Sequence, residues 1–169
     1  MAILTLRPFE DFDNEGFTAT GAANLWDCIN DSTTDDETTY ISTTVAGGLY
    51  IPAFATTGLT TETINSVKVF FRARYTTSAP TILCALIKPV GAIQMSNVAG
   101  GAMTASYANY EVTDTIDYTT GLPFAIADLD ACGLYIYSTE GATRVTQAYI
   151  EIDYTPLAPS TNAILFAGD

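Results

Sequence analysis

Along most of this chain apolar and polar side chains alternate. The clearest stretch is INSVKVFFRARYTT, residues 64–77. Val67, Val69, Phe71, Ala73 and Tyr75 fall on one side, and Lys68, Phe70, Arg72 and Arg74 on the other. A period of two is the spacing of a strand with one buried face, whereas an amphipathic helix repeats every 3.6 residues. TILCALIK (81–88) follows Ala79-Pro80, a turn signal, and the pair predicts a hairpin. ACGLYIYSTE (131–140), the turn Glu140-Gly141 and TRVTQAYIEIDYT (143–155) predict a second hairpin. In its last strand Ala148, Ile150, Ile152 and Tyr154 oppose Gln147, Tyr149, Glu151 and Asp153. Strands are also expected at ILTLRP (3–8), TTYISTTV (38–45) and SYANYEVTDTI (106–116).

Helical signals are scarce. GAANLWDCIN (21–30) suits two short turns with Leu25, Trp26 and Ile29 pointing inward, and PFAIADLDA (123–131) suits one. Short strands separated by turns, with little helix, predict an all-β fold: a single-domain antiparallel β-sandwich, jelly-roll-like, with one or two short helical turns. That domain is expected over residues 1–155, with an extended arm over 156–169. Pro156 and Pro159 cannot continue a sheet interior. Beyond them Ile164, Leu165 and Phe166 form an apolar plug after a polar spacer. Three fates stay open for it: folding back on its own domain, docking on a neighbouring subunit or shell surface, or staying loose.

Composition sharpens this picture. The 169 residues suit one domain with its own core. Charged residues make up only 15%, against about a quarter in an average protein. A Thr-, Ser- and Ala-rich surface of that kind favours assembly. The net charge of −13 argues against nucleic acid and against anionic membranes, since both need clustered cations. No apolar run approaches the roughly 20 residues that cross a bilayer. The opening MAILTLRPFEDF lacks the basic and apolar regions of a signal peptide, so synthesis in a cytoplasm is expected. Cys28, Cys84 and Cys132 are widely spaced and fit buried free thiols better than a metal pattern.

Candidate chemistry is thin. The absence of histidine removes Ser-His-Asp and Cys-His devices and His-containing zinc sites. No nucleophile elbow, P-loop or dinucleotide fingerprint is present. A glycosidase needs only two carboxylates, but no particular pair is marked. The expectation is a protein that is not an enzyme. DFDNEG (11–16) matches the opening of a calcium loop, with Asp11, Asp13 and Glu15 at alternate positions and Gly16 at the turn. The twelfth position is Ala22, where a bidentate Glu is needed, and flanking helices are missing. A solvated turn and a partial calcium site completed by Asp35 or Asp36 both stay open. No other cofactor is indicated.

The acidic knot Asp31–Glu37 follows the turn around Trp26. Its short oxygen side chains compete for backbone N–H groups and close turns. It reads as a hinge into the next strand, with a metal site and a partner contact as alternatives. Lys68, Arg72 and Arg74, half of the six cations, share one strand face. They either pair with acids on the same sheet or form a docking patch for an acidic surface.

The order of motifs resembles a diffuse group of tailed-phage virion proteins. The matching elements are Arg7-Pro8, Gly16-Phe17-Thr18, Leu25-Trp26, Asp35-Asp36, Tyr40-Ile41-Ser42, the strand Val67 to Arg74, Tyr107 with Tyr110, and Asp128-Leu129 with Leu134. The likeness spans residues 4–155. It implies a jelly-roll-like sandwich with a structural role in a virion. The Gly-rich stretch VAGGLYIPAFATTG and the apolar tail depart from the group. The leading expectation is a capsid decoration (cement) protein on the outside of the shell. Its partners would be the major capsid protein or other virion proteins, and it would form a homo-oligomer such as a trimer. The competing expectation is a glycan- or receptor-binding module of a phage tail or fibre. Ten tyrosines and Trp26 would supply stacking rings for it.

Overall fold

The computed structural model describes residues 1–33, 35–77, 80–88, 90–91 and 93–157. Twelve strands run in the order β1 Ala2–Leu6, β2 Pro8–Glu15, β3 Phe17–Thr20, β4 Tyr40–Thr43, β5 Gly48–Phe54, β6 Thr63–Tyr75, β7 Thr81–Lys88, β8 Ile93–Gln94, β9 Ala99–Ala102, β10 Ala108–Asp114, β11 Gly133–Ser138 and β12 Thr143–Thr155. A 3-10 turn spans Trp26–Cys28, and the short helix α1 spans Ile126–Leu129. The described chain is an antiparallel β-sandwich, as its alternation predicts.

One sheet has the order β10-β6-β12-β4-β3, with β1 also paired to β12. The other has the order β2-β5-β11-β7-β8, with β9 also paired to β7. The alternating sets define the interior. Val67, Val69, Phe71 and Ala73 of β6 are buried, as are Ala148, Ile150 and Ile152 of β12. They face Ile82, Cys84 and Leu86 of β7 and Leu134 and Ile136 of β11 within one core. Phe71 stacks on Tyr110 with ring centroids 5.0 Å apart. Cys28, Cys84 and Cys132 are buried free thiols, and burial pushes the Cys132 thiol up to about 12.

Neither expected hairpin forms. β6 pairs with β10 and β12, while β7 pairs with β11, β8 and β9 in the opposite sheet. Likewise β11 pairs with β5 and β7, and β12 lies across the core from it. Each connection is an arch from one layer to the other. In the second arch Ser138 and Thr143 hydroxyls meet at 2.8 Å in the interior, joining the layers. Gly141 is needed there because a Cβ would sit 2.2 Å from the Thr44 carbonyl oxygen.

ILTLRP is also two strands rather than one: the chain passes from β1 to β2 at Arg7 and changes sheet. DFDNEG is not a turn. Asp11 to Glu15 belong to the edge strand β2, whose register with β5 shifts twice. Its exposed acids suit an edge that must not pair with another chain. Trp26 is only half-buried, and Cys28 joins Leu25 and Ile29 in the core in its stead.

Candidate functional site

The solvent side of the second sheet is unusual in having few charges at its centre. Strand β11 turns Leu134 and Ile136 into the core, so Tyr135 and Tyr137 face outward. Their rings stack with centroids 5.8 Å apart and planes 18° from parallel. Across the ladder Tyr135 pairs in register with Ala85 and Tyr137 with Leu83. On the other side Tyr137 pairs with Leu49, which pairs with Glu15. Beside the tyrosines lies a depression of about 310 Å³ lined by Leu83, Ala85, Ile87, Gln94, Val98 and Tyr135. That volume is at the lower end of the usual range for small-molecule sites, about 300–1,000 Å³. Burial, then Tyr137, then the negative field of Glu15 push the Tyr135 phenol above its ordinary value. It therefore stays protonated at neutral pH and keeps a hydrogen to donate. An apolar floor, half-exposed rings and a few polar groups at the rim suit a ligand with an apolar face and hydroxyl edges.

The outer face of the first sheet is different in kind. The three cations of the β6 stripe each meet a carboxylate of their own chain: Lys68 with Glu151, Arg72 with Asp36, and Arg74 with Glu37 at 2.7 Å. Arg144 joins Glu37 from β12, also at 2.7 Å. The acidic knot is thus folded down onto the basic stripe. Thr39 ties its stem by sharing its one hydroxyl hydrogen between Asp31 at 3.0 Å and Asp35 at 2.8 Å. A recess of about 450 Å³ opens there between Asp36, Glu37, Arg72, Arg74 and Tyr107. It is larger than the tyrosine depression, and its charges are paired within the chain, while the buried Arg74 Nε and Tyr107 hydroxyl lack a hydrogen-bond partner among the described residues. An acidic partner would have to displace that pairing.

The remaining cations are engaged too. Arg7 donates to the Asn30 and Asp31 carbonyls and lies over the Tyr149 ring, and Lys88 meets Asp128 at 2.9 Å.

Asp11, Asp13 and Glu15 do not converge. Asp11 accepts from the Trp26 backbone N–H at 3.0 Å and from the buried Tyr50 hydroxyl. Asp13 accepts from the Asn14 N–H at 2.8 Å. Among the described residues no three acidic or thiol side chains are grouped to hold a metal ion. Ile164, Leu165 and Phe166 lie outside the described residues. The tyrosine platform was missed at the sequence level. Its signal is a strand, LYIY, in which aliphatic side chains take one face and two tyrosines the other.

No protein-family model matches the chain, and no curated protein matches it. Solved structures do match in shape. The Clostridium thermocellum xylanase 10B CBM22-1–GH10 modules, complexed with xylohexaose, give a TM-score of 0.51 at 12% identity, over 95% of this chain and 30% of that one. The Cellvibrio mixtus lichenase 5A carbohydrate-binding module, in complex with cellotriose, gives 0.47 at 12%, over 92% and 100%. The enzymatically active domain of bacteriophage CBA120 tailspike protein 4 gives 0.47 at 10%, over 90% and 19%. At these identities the likeness establishes the fold alone, a jelly-roll β-sandwich.

Proposed function

We propose that this protein is a glycan-binding jelly-roll module, with the Tyr135–Tyr137 platform as its binding face and an uncharged glycan as its ligand. The observation that carries the reading is the stacked tyrosine pair on the solvent side of a strand whose other side is core. A sugar ring offers an apolar C–H face to an aromatic ring and hydroxyls to neighbouring polar groups. Gln94 and Glu15 supply such groups at the rim.

Charge selects the ligand class. The chain carries six cations, and Arg7, Lys68, Arg72, Arg74, Lys88 and Arg144 are all engaged by carboxylates or carbonyls away from the platform. A uronate or sulfated sugar would meet no free guanidinium there and would face a net charge of −13. Binding without turnover is the accompanying reading, since the sequence contains no histidine and the platform rests on aromatic and aliphatic groups.

The resemblance of residues 4–155 to tailed-phage virion proteins supports a virion setting, on a tail or fibre that meets host glycans. A shell-cement role would use Lys68, Arg72 and Arg74 as a docking stripe, and those groups already pair within the chain.

An array of immobilised glycans, probed with the wild-type protein and with Tyr135→Ala, tests the proposal. The wild type should bind neutral glycans, and the variant should lose roughly tenfold in affinity or more, as expected for truncating a central aromatic anchor. Binding confined to acidic glycans, binding that Tyr135→Ala leaves unchanged, or no binding at all would overturn it.

A further inference from the structure

A second apolar surface lies on the same sheet, at the edge and away from the tyrosines. Phe9 and Phe12 of β2 are 46% and 54% exposed, and Val90 beyond β7 is 83% exposed. With Phe54 and Cys132 they line a groove of about 210 Å³. Among the described residues it shares no lining residue with the tyrosine depression. Two phenylalanine rings on an otherwise acidic edge strand are an unfavourable surface to leave in water, and such patches mark contact sites.

We propose that Ile164–Phe166 of this chain docks into this groove, in cis. The topology puts the groove within reach. β12 ends at Thr155 beside β1, with Ala2 opposite Tyr154 and Leu6 opposite Ile150. At Leu6 the chain crosses through Arg7 alone to Pro8, so the start of β2 faces β1 across the sandwich. One strand spacing of about 4.8 Å, one layer spacing of about 10 Å and a four-residue climb of about 13 Å separate the end of β12 from that point, roughly 17 Å in a straight line. From Leu157 to Ile164 the seven intervening steps span up to about 23 Å when extended.

Charge and tethering favour this occupant. Residues 158–168 carry no ionisable side chain, while Glu10 and Asp130 flank the groove. A neutral apolar segment meets no repulsion there, whereas an acidic peptide would. The short tether also holds the plug at a high effective concentration, while a second copy at −13 is repelled.

The test uses the full chain with the pair Glu10→Cys and Leu165→Cys, which leaves the apolar lining intact. Both pairs are made in a Cys132→Ala background, because Cys132 lines the groove, and Cys28 and Cys84 are buried, so mild oxidation addresses the new thiols. Two thiols lose two hydrogens to the oxidant and form one S–S bond. The expected product is a monomer with that mass loss, while the control pair Val45→Cys and Leu165→Cys, directed to the opposite end, stays reduced. A second variant, Leu165→Asp in the wild-type background, should raise binding of a hydrophobic dye several-fold with an unchanged circular dichroism spectrum. No disulfide in the Glu10 pair, equal formation in both pairs, a bond only between chains, or unchanged dye binding would overturn the proposal.

Discussion

Arg72 grips Asp36 with two parallel hydrogen bonds, Nε–H to Oδ1 at 2.7 Å and Nη2–H to Oδ2 at 2.6 Å. The pair fastens the acidic turn to the outer face of a central strand. It does so although Asp36 adopts a left-handed backbone, with φ of 46°. Hydrogen bonding from Arg72 comes first among the causes that hold the Asp36 carboxyl below its ordinary value.

A pH dependence follows. A depressed carboxyl stabilises the fold above the unfolded pKa, and that stability is lost as pH falls through the lower folded value. Asp36→Asn should therefore cost up to about 1 kcal/mol near neutral pH, because the pair is partly exposed and solvent screens it. The difference from wild type should begin to shrink as pH drops below 3.8, the ordinary aspartate value, and vanish in stronger acid. Urea unfolding of both proteins at neutral and strongly acid pH measures this.

Tyr50 and Asp11 give an asymmetric prediction. The Tyr50 side chain is fully buried and its hydroxyl donates to Asp11, which is exposed. Asp11→Ala strands the buried Tyr50 hydroxyl, leaves the exposed Trp26 N–H to water, and should cost about 1–3 kcal/mol. Tyr50→Phe leaves behind only a solvated carboxylate, and should cost less, about 0.5–1.5 kcal/mol. Denaturant midpoints rank the two. Trp26 is the sole tryptophan, so its emission should shift in Asp11→Ala and stay near wild type in Tyr50→Phe.

Gly141→Ala should destabilise the arch between β11 and β12. The added methyl would sit 2.2 Å from the Thr44 carbonyl oxygen and 2.4 Å from its carbon, both backbone atoms. Relieving that overlap means moving the connection away from Thr44, at a cost of about 1–3 kcal/mol, typical of overpacking. Gly58→Ala, where a Cβ meets nothing within 4 Å but φ is +70°, separates backbone strain from collision. Thermal melts of the two variants compare them, and Gly141→Ala should melt lower.

The strands were legible because alternation reports which side of a layer a residue faces, and Val67, Val69, Phe71 and Ala73 are all buried as their spacing requires. Alternation does not report which strand is the neighbour. Residues 64–77 and 81–88 read equally well as a hairpin or as an arch, and only the packing of both layers decides for the arch. Strand β2 was hidden because Asp, Asn and Glu have low strand propensity. Pairing with β5 overrides that preference at the edge. The basic stripe on β6 was visible, but its partners Asp36 and Glu37 lie more than thirty residues earlier, beyond any local pattern. Tyr135 and Tyr137 were visible as strand residues. Their role as a platform depends on Leu83, Gln94 and Val98, which come from other strands and loops.

The central claim is that the tyrosine face is where a glycan binds, and backbone amide shift mapping tests it most directly. The isotopically labelled protein is titrated with a neutral oligosaccharide selected on the array. Shifts concentrated at Leu83, Gln94, Val98, Tyr135 and Tyr137, with Arg72, Arg74 and Tyr107 unmoved, are the predicted result. Shifts centred on the Arg72–Tyr107 recess or on the Phe9–Phe12 groove, or no shifts at saturating sugar, would contradict it.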